Sequence, residues 1–86
     1  MTKEQIAAFC IDRLADILRM PRDRIAADAK FSRLGLDSAM TVYLQMDLEE
    51  KLDRELSLDL FYDHPSVDAL SAHLAGTQTA RGSVTS

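Results

Sequence analysis

In this chain of 86 residues, one arrangement could present a hydroxyl group for chemistry: Asp37-Ser38, set directly before a run with helical periodicity. Met40, Tyr43, Leu44, Leu48 and Leu52 recur at three- and four-residue steps, which predicts a helix, and Asp37 is a good N-cap for it. Ser38 then falls in the first turn. Free backbone N–H groups and the positive end of the helix dipole both point there, so a phosphodiester on the Ser38 oxygen would sit in a favourable field. Gly35 and Leu36 lead into the cap, and Gly35 supplies the backbone freedom needed just before it. An ordinary capped helix, with Ser38 as a second capping hydroxyl, fits the same spacing.

Other reactive side chains form no constellation. His64 sits in an Asp-His-Pro turn and His73 in the last helical stretch, and neither has Cys or His companions at metal-ligand spacing. Both read as structural or surface residues, and no metal is expected. Ser38 lacks the Gly-x-Ser-x-Gly elbow of a hydrolase nucleophile, and Gly35 is the only glycine before Gly76, which excludes a phosphate-binding loop. The chain is therefore not expected to be an enzyme. Cys10, the single cysteine, allows no internal disulfide and falls on an apolar helix face, where burial is its expected role.

The elements that must position Ser38 read as four helices. Thr2 and Gln5 form a capping box for the first, which carries the stripe Ile6, Cys10, Leu14, Ile17 and Leu18, runs to about Arg19 and is closed by Pro21. A long connection from Met20 to Asp37 follows, pinned by Ile25, Phe31, Leu34 and Leu36, with Phe31 and Leu34 able to form a single turn. Helix two spans Ser38 to about Arg54. Leu56 and Leu58 read as extended anchors, and Asp59 as the cap of a short third helix over Leu60–Asp63 that Pro65 ends. Ser66 caps the fourth, which buries Val67, Leu70 and Leu74 and stops at Gly76. The expectation is one all-α domain, a small four-helix bundle of residues 1–76 with three longer helices, a short third and a long first loop. Residues 77–86 lack aromatic residues and periodicity and read as a disordered tail.

Composition bounds the partners. At this length the core is modest and a deep enclosed active site is not expected. No apolar run approaches a membrane span, and the polar start Met1-Thr2-Lys3-Glu4-Gln5 has no signal-peptide core, so a monomer in the cytoplasm is expected. Residues 37 to 68 hold nine acids against Lys51 and Arg54, net −7, whereas Arg19, Arg22, Arg24, Lys30 and Arg33 crowd the loop before Ser38. An acidic second helix steers toward basic patches and away from nucleic acid.

Phe31-Ser32-Arg33-Leu34-Gly35-Leu36-Asp37-Ser38 resembles the phosphopantetheine-attachment motif of acyl carrier proteins, and Phe61-Tyr62-Asp63-His64-Pro65-Ser66-Val67 resembles a second landmark of that family. The similarity covers roughly residues 3 to 75. It implies that a phosphopantetheinyl transferase, using magnesium, moves 4′-phosphopantetheine from coenzyme A onto Ser38, and that acyl groups ride on the arm as thioesters between partner enzymes. Those partners would include an acyltransferase or acyl-activating ligase and a ketosynthase. Met40 and Tyr43 stand where fatty-acid carriers place acids, which leans toward polyketide carriers, and the two ends of the chain suggest a free-standing protein. Ala39 departs from the leucine most carriers have beside the serine. Docking is expected to involve Ala39, Met40, Tyr43 and Glu49, although Met40 and Tyr43 could instead fill the core. A carrier of aminoacyl or fatty acyl units loaded by a dedicated ligase, and a carrier-like adaptor that is never modified, are the alternatives.

Overall fold

The computed structural model describes residues 2–76 with their side chains and carries the last helix on to Thr85. Helix α1 (Lys3–Leu18) starts on the expected reciprocal pair: Gln5 N–H donates to Thr2 Oγ1 at 3.1 Å, and Thr2 N–H donates to Gln5 Oε1 at 2.9 Å. It ends where Arg19 turns left-handed, with φ at 55°, and returns its N–H to the Ala15 carbonyl. Ile6, Cys10 and Leu14 are fully buried, and Ile17 and Leu18 pack beside them half-buried.

The connection to the next long helix holds a 3₁₀ turn (Arg22–Arg24) and the one-turn α2 (Phe31–Leu34). Ile25 and Phe31 are buried and Leu34 and Leu36 pack against the core, so this segment is pinned by its own apolar residues as the sequence suggests. Backbone bonds pin it a second time. Phe31 N–H donates to the Pro65 carbonyl at 2.7 Å, Asp68 N–H donates to the Ala27 carbonyl at 2.8 Å, and Lys30 bridges Ser66. The whole loop is thereby stitched to the start of the last helix, a set of long-range pairs that no local pattern encodes.

Helix α3 (Ser38–Leu52) stops at Asp53, which takes a left-handed conformation, slightly short of the expected Arg54. Arg13 Nε meets Asp47 at 2.9 Å and Lys51 Nζ sits 5.7 Å from the Phe9 ring, so α1 and α3 run antiparallel. Two side chains of α3 then hold Leu56: Gln45 Nε2 donates to its carbonyl at 2.6 Å, and its N–H donates to Glu49 Oε2 at 2.8 Å. Leu58, expected to be extended, instead has helical backbone angles because it leads directly into the short helix that follows. Asp59 was expected to cap the short helix, but it is the first residue of α4 (Asp59–Asp63). Its N–H donates to Ser57 Oγ, because Leu58 already has helical backbone angles and moves the start one position earlier.

Helix α5 (Val67–Thr85) begins where Ser66 Oγ accepts the Ala69 N–H at 3.1 Å, as expected. It buries Val67, Leu70 and Leu74 completely against Leu44, Leu48 and the α1 stripe. The expected stop at Gly76 does not occur. Glycine weakens a helix and commonly ends one by turning left-handed, and Gly76 has no such turn and no proline after it. The disordered tail expected at 77–86 lies outside the fully described residues. Three long helices and a short one therefore form an all-α bundle, with α2 as an added turn inside the long loop. No helix among the described residues is long and apolar enough to cross a membrane.

Candidate functional site

Gly35 ends α2 in the left-handed region, with φ at 92°, a conformation that costs glycine little and other residues more. Its N–H and that of Leu36 fold back on the carbonyls of Ser32 and Phe31. This tight reversal delivers Asp37 in an extended conformation at the head of α3. Asp37 then serves the first turn three times. Oδ1 accepts the Met40 N–H at 2.8 Å, and its carbonyl oxygen accepts both the Thr41 N–H at 2.9 Å and the Thr41 hydroxyl at 2.8 Å.

Ser38 is the first helical residue and is exposed. Since Asp37 fills the cap bond to Met40, the Ser38 hydroxyl is not the cap. It stands at the positive end of a helix of 15 residues whose start is fixed from the residue before it. A phosphodiester fits there because a helix start leaves backbone N–H groups without intrahelical partners, and Asp37 consumes the one on Met40 while leaving the edge at Ser38 and Ala39 open to solvent.

Beside this head lies a small cavity of about 180 Å³, walled by Phe31, Leu36, Thr41, Phe61, Tyr62 and Pro65. Its lining comes from α2, the start of α3 and α4, and the Phe31 and Phe61 rings that line it stand 6.3 Å apart.

The expected docking residues separate. Ala39 is exposed and Tyr43 is 60% exposed, so Tyr43 does not fill the core; Met40 is half-buried. Glu49 lies eleven residues beyond Ser38, about 16 Å along the axis, and its carboxylate holds the Leu56 N–H. It is thus used inside the fold and is not brought next to the other three. Two residues absent from the sequence expectation are exposed: Met46, 58% exposed, lies on the face of Ala39 and Tyr43 at helical spacing, and Tyr62 of α4 is 64% exposed. Met46 was readable from the period, as it falls opposite Thr41, Leu44 and Leu48.

Elsewhere the titratable groups serve the fold. Burial pushes the Cys10 thiol up to about 12. The carboxylates of Asp68 and Asp47 raise Lys3 and Arg13 through hydrogen bonds first and charge second. His64 and His73 stack on one another, 4.2 Å between centroids, a pairing their separate sequence contexts did not suggest. No group of His, Cys, Asp and Glu among the described residues could hold a metal.

A family model described as "Phosphopantetheine attachment site" matches residues 11–74. Polyketide synthase GfsA of Streptomyces halstedii is 43% identical over 65 residues, 74% of this chain and 1% of that protein. Among solved structures, a free-standing peptidyl carrier protein from Acinetobacter baumannii superposes with a TM-score of 0.86 at 30% identity, covering 90% of this chain and 96% of that one. The HMG-ACPI domain of the CurA module from Lyngbya majuscula superposes with a TM-score of 0.83 at 28% identity, covering 94% and 82%. The chain spans only 1% to 3% of the length of the polyketide synthases it first matches.

Proposed function

Because the chain belongs to the phosphopantetheine-attachment family, we propose that Ser38 is its modified residue and that it carries polyketide intermediates between enzymes. It is a carrier domain, and its cofactor is phosphopantetheine. The observation that carries the assignment to Ser38 is the exposed hydroxyl at the head of α3, with Asp37 capping the helix in its place. When bound, the arm supplies a terminal thiol that holds an acyl group as a thioester. The chain's own residues bind and orient. Asp37 and Thr41 fix the first turn, Gly35 and Leu36 set its approach, and the helix start favours the phosphodiester over bulk water. Attachment to a mobile arm raises the effective concentration of cargo at each docked enzyme.

Carrier domains of polyketide synthases work with ketosynthases and acyltransferases, and these are the proposed partners here, after a phosphopantetheinyl transferase that uses magnesium. The proposed contact surface is Ala39, Tyr43 and Met46 with the edge of Met40, in a carrier unit spanning residues 1–76. An aminoacyl cargo is the second reading, supported by the peptidyl carrier among the structural relatives. A loading assay separates the two. The modified protein is offered malonyl units with a polyketide acyltransferase, and aminoacyl adenylates with a carrier ligase. Malonyl transfer dependent on Ser38 supports the polyketide reading, and exclusive aminoacyl transfer overturns it.

A further inference from the structure

His64 closes α4 as its C-terminal cap residue, and His73 lies within the second turn of α5, yet their rings stack with centroids 4.2 Å apart and planes 21° from parallel. Two neutral imidazoles, or one neutral and one charged, tolerate this arrangement, whereas two imidazolium rings face to face repel. The stack ties the end of α4 to α5, beyond the shared core in which Phe61 of α4 is buried with Val67, Leu70 and Leu74 of α5. Helix α4 is only five residues long, with turns held by bonds such as Phe61 N–H to the Leu58 carbonyl and His64 N–H to the Leu60 carbonyl. Such an element is easily opened unless something outside it holds its end.

We propose that the His64–His73 stack is a proton-sensitive clasp that holds α4 against α5, and that its protonation below neutral pH loosens the wall of the cavity beside Ser38. That wall is Phe61, Tyr62 and the adjoining Pro65, so the clasp and the cavity share one element.

The surrounding charges set the direction. Partial burial lowers the His73 pKa from its ordinary 6.5, and so do the charges of His64 at the end of α4 and Arg54 just past α3; Asp63 of α4 acts weakly the other way. A histidine whose folded pKa is depressed binds its proton later in the folded chain than in the unfolded one. Between the two values the unfolded chain therefore holds more protons. The contribution of the stack is complete above about pH 6.5 and is lost as the pH falls below it.

The inference goes beyond the carrier reading and rests on it only for the consequence at the arm, so it is tested on the full chain without modification. Amide hydrogen exchange is measured at pH 7.5 and pH 5.5, each rate divided by its intrinsic value, and the ring carbons of both histidines are titrated by NMR. In the wild type, protection at Phe61 and His64 is expected to fall about threefold or more relative to α1 on acidification, with His73 titrating below 6.5. His73→Phe keeps a ring in place without its proton and should remove that fall while preserving protection at pH 7.5. His64→Gln removes the stack and should leave α4 weakly protected at both values. A flat pH response in the wild type, an unchanged fall in either variant, or titration of His73 at or above 6.5 would overturn the clasp. Failure of Ser38 to accept the arm would leave this result standing.

Discussion

Asp37 carries more of the site than its single side chain suggests, since its carboxylate and its carbonyl together receive three donors of the first turn of α3. Asp37→Ala removes the side-chain acceptor and should cost about 0.5–2 kcal/mol of stability in urea melts. It should also slow attachment at Ser38, because the helix start frays. Asp37→Asn keeps a capping oxygen and is expected to retain most of the stability, so a rate loss in that variant would report the charge and not the cap. Cys10 gives the opposite kind of prediction. Buried on every side with its thiol pushed up to about 12, it should not react with iodoacetamide at neutral pH until the chain is unfolded, leaving an attached arm as the one alkylated thiol. Because that pKa is raised above the unfolded value of 9.0, the unfolded chain releases its proton first, and stability should decline only above about pH 9. The capping box, the Asp37 cap and the burial of Cys10 were all legible in the sequence, since each depends on neighbours within a turn or on a regular stripe. The His64–His73 stack and the capture of Leu56 by Glu49 were not, since each depends on how far the chain travels before returning.

The elements depend on one reversal and one stitched loop. Gly35→Ala meets nothing within 4 Å, so its cost comes from the backbone conformation at φ 92° and should be on the order of 1 kcal/mol in a denaturant melt. Leu48→Ala opens the fully buried seam between α1, α3 and α5 and should cost about 2–5 kcal/mol, enough to unfold much of so small a domain near physiological temperature. The long helices and their caps followed from periodicity. The attachment of the long loop to the α4–α5 junction did not, because it runs through backbone bonds between Phe31 and Pro65 and between Asp68 and Ala27 that carry no side-chain signature. The run of α5 past Gly76 was missed for a related reason, as the sequence places a tolerable helix residue where a terminating one was expected.

At the scale of the whole molecule, the surface that leads away from Ser38 along α3 is apolar, whereas the half of the chain it belongs to is acidic. Tyr43→Glu and Met46→Asp change exposed side chains, so their melts should stay close to wild type while acyl transfer from partner enzymes falls. Added salt should weaken that transfer less than it would for a carrier helix lined with acids. A large loss of melting temperature would assign the two residues to the fold, and unchanged transfer in stable variants would remove them from the contact surface.

The central claim is that Ser38 holds the arm, and peptide-level mass spectrometry after coexpression with a broad-specificity phosphopantetheinyl transferase tests it most directly. The wild type should gain one phosphopantetheinyl group on the peptide containing Ser38, and Ser38→Ala should gain none while melting like the wild type. A wild type that is never modified, or a Ser38→Ala protein that still is, would contradict it.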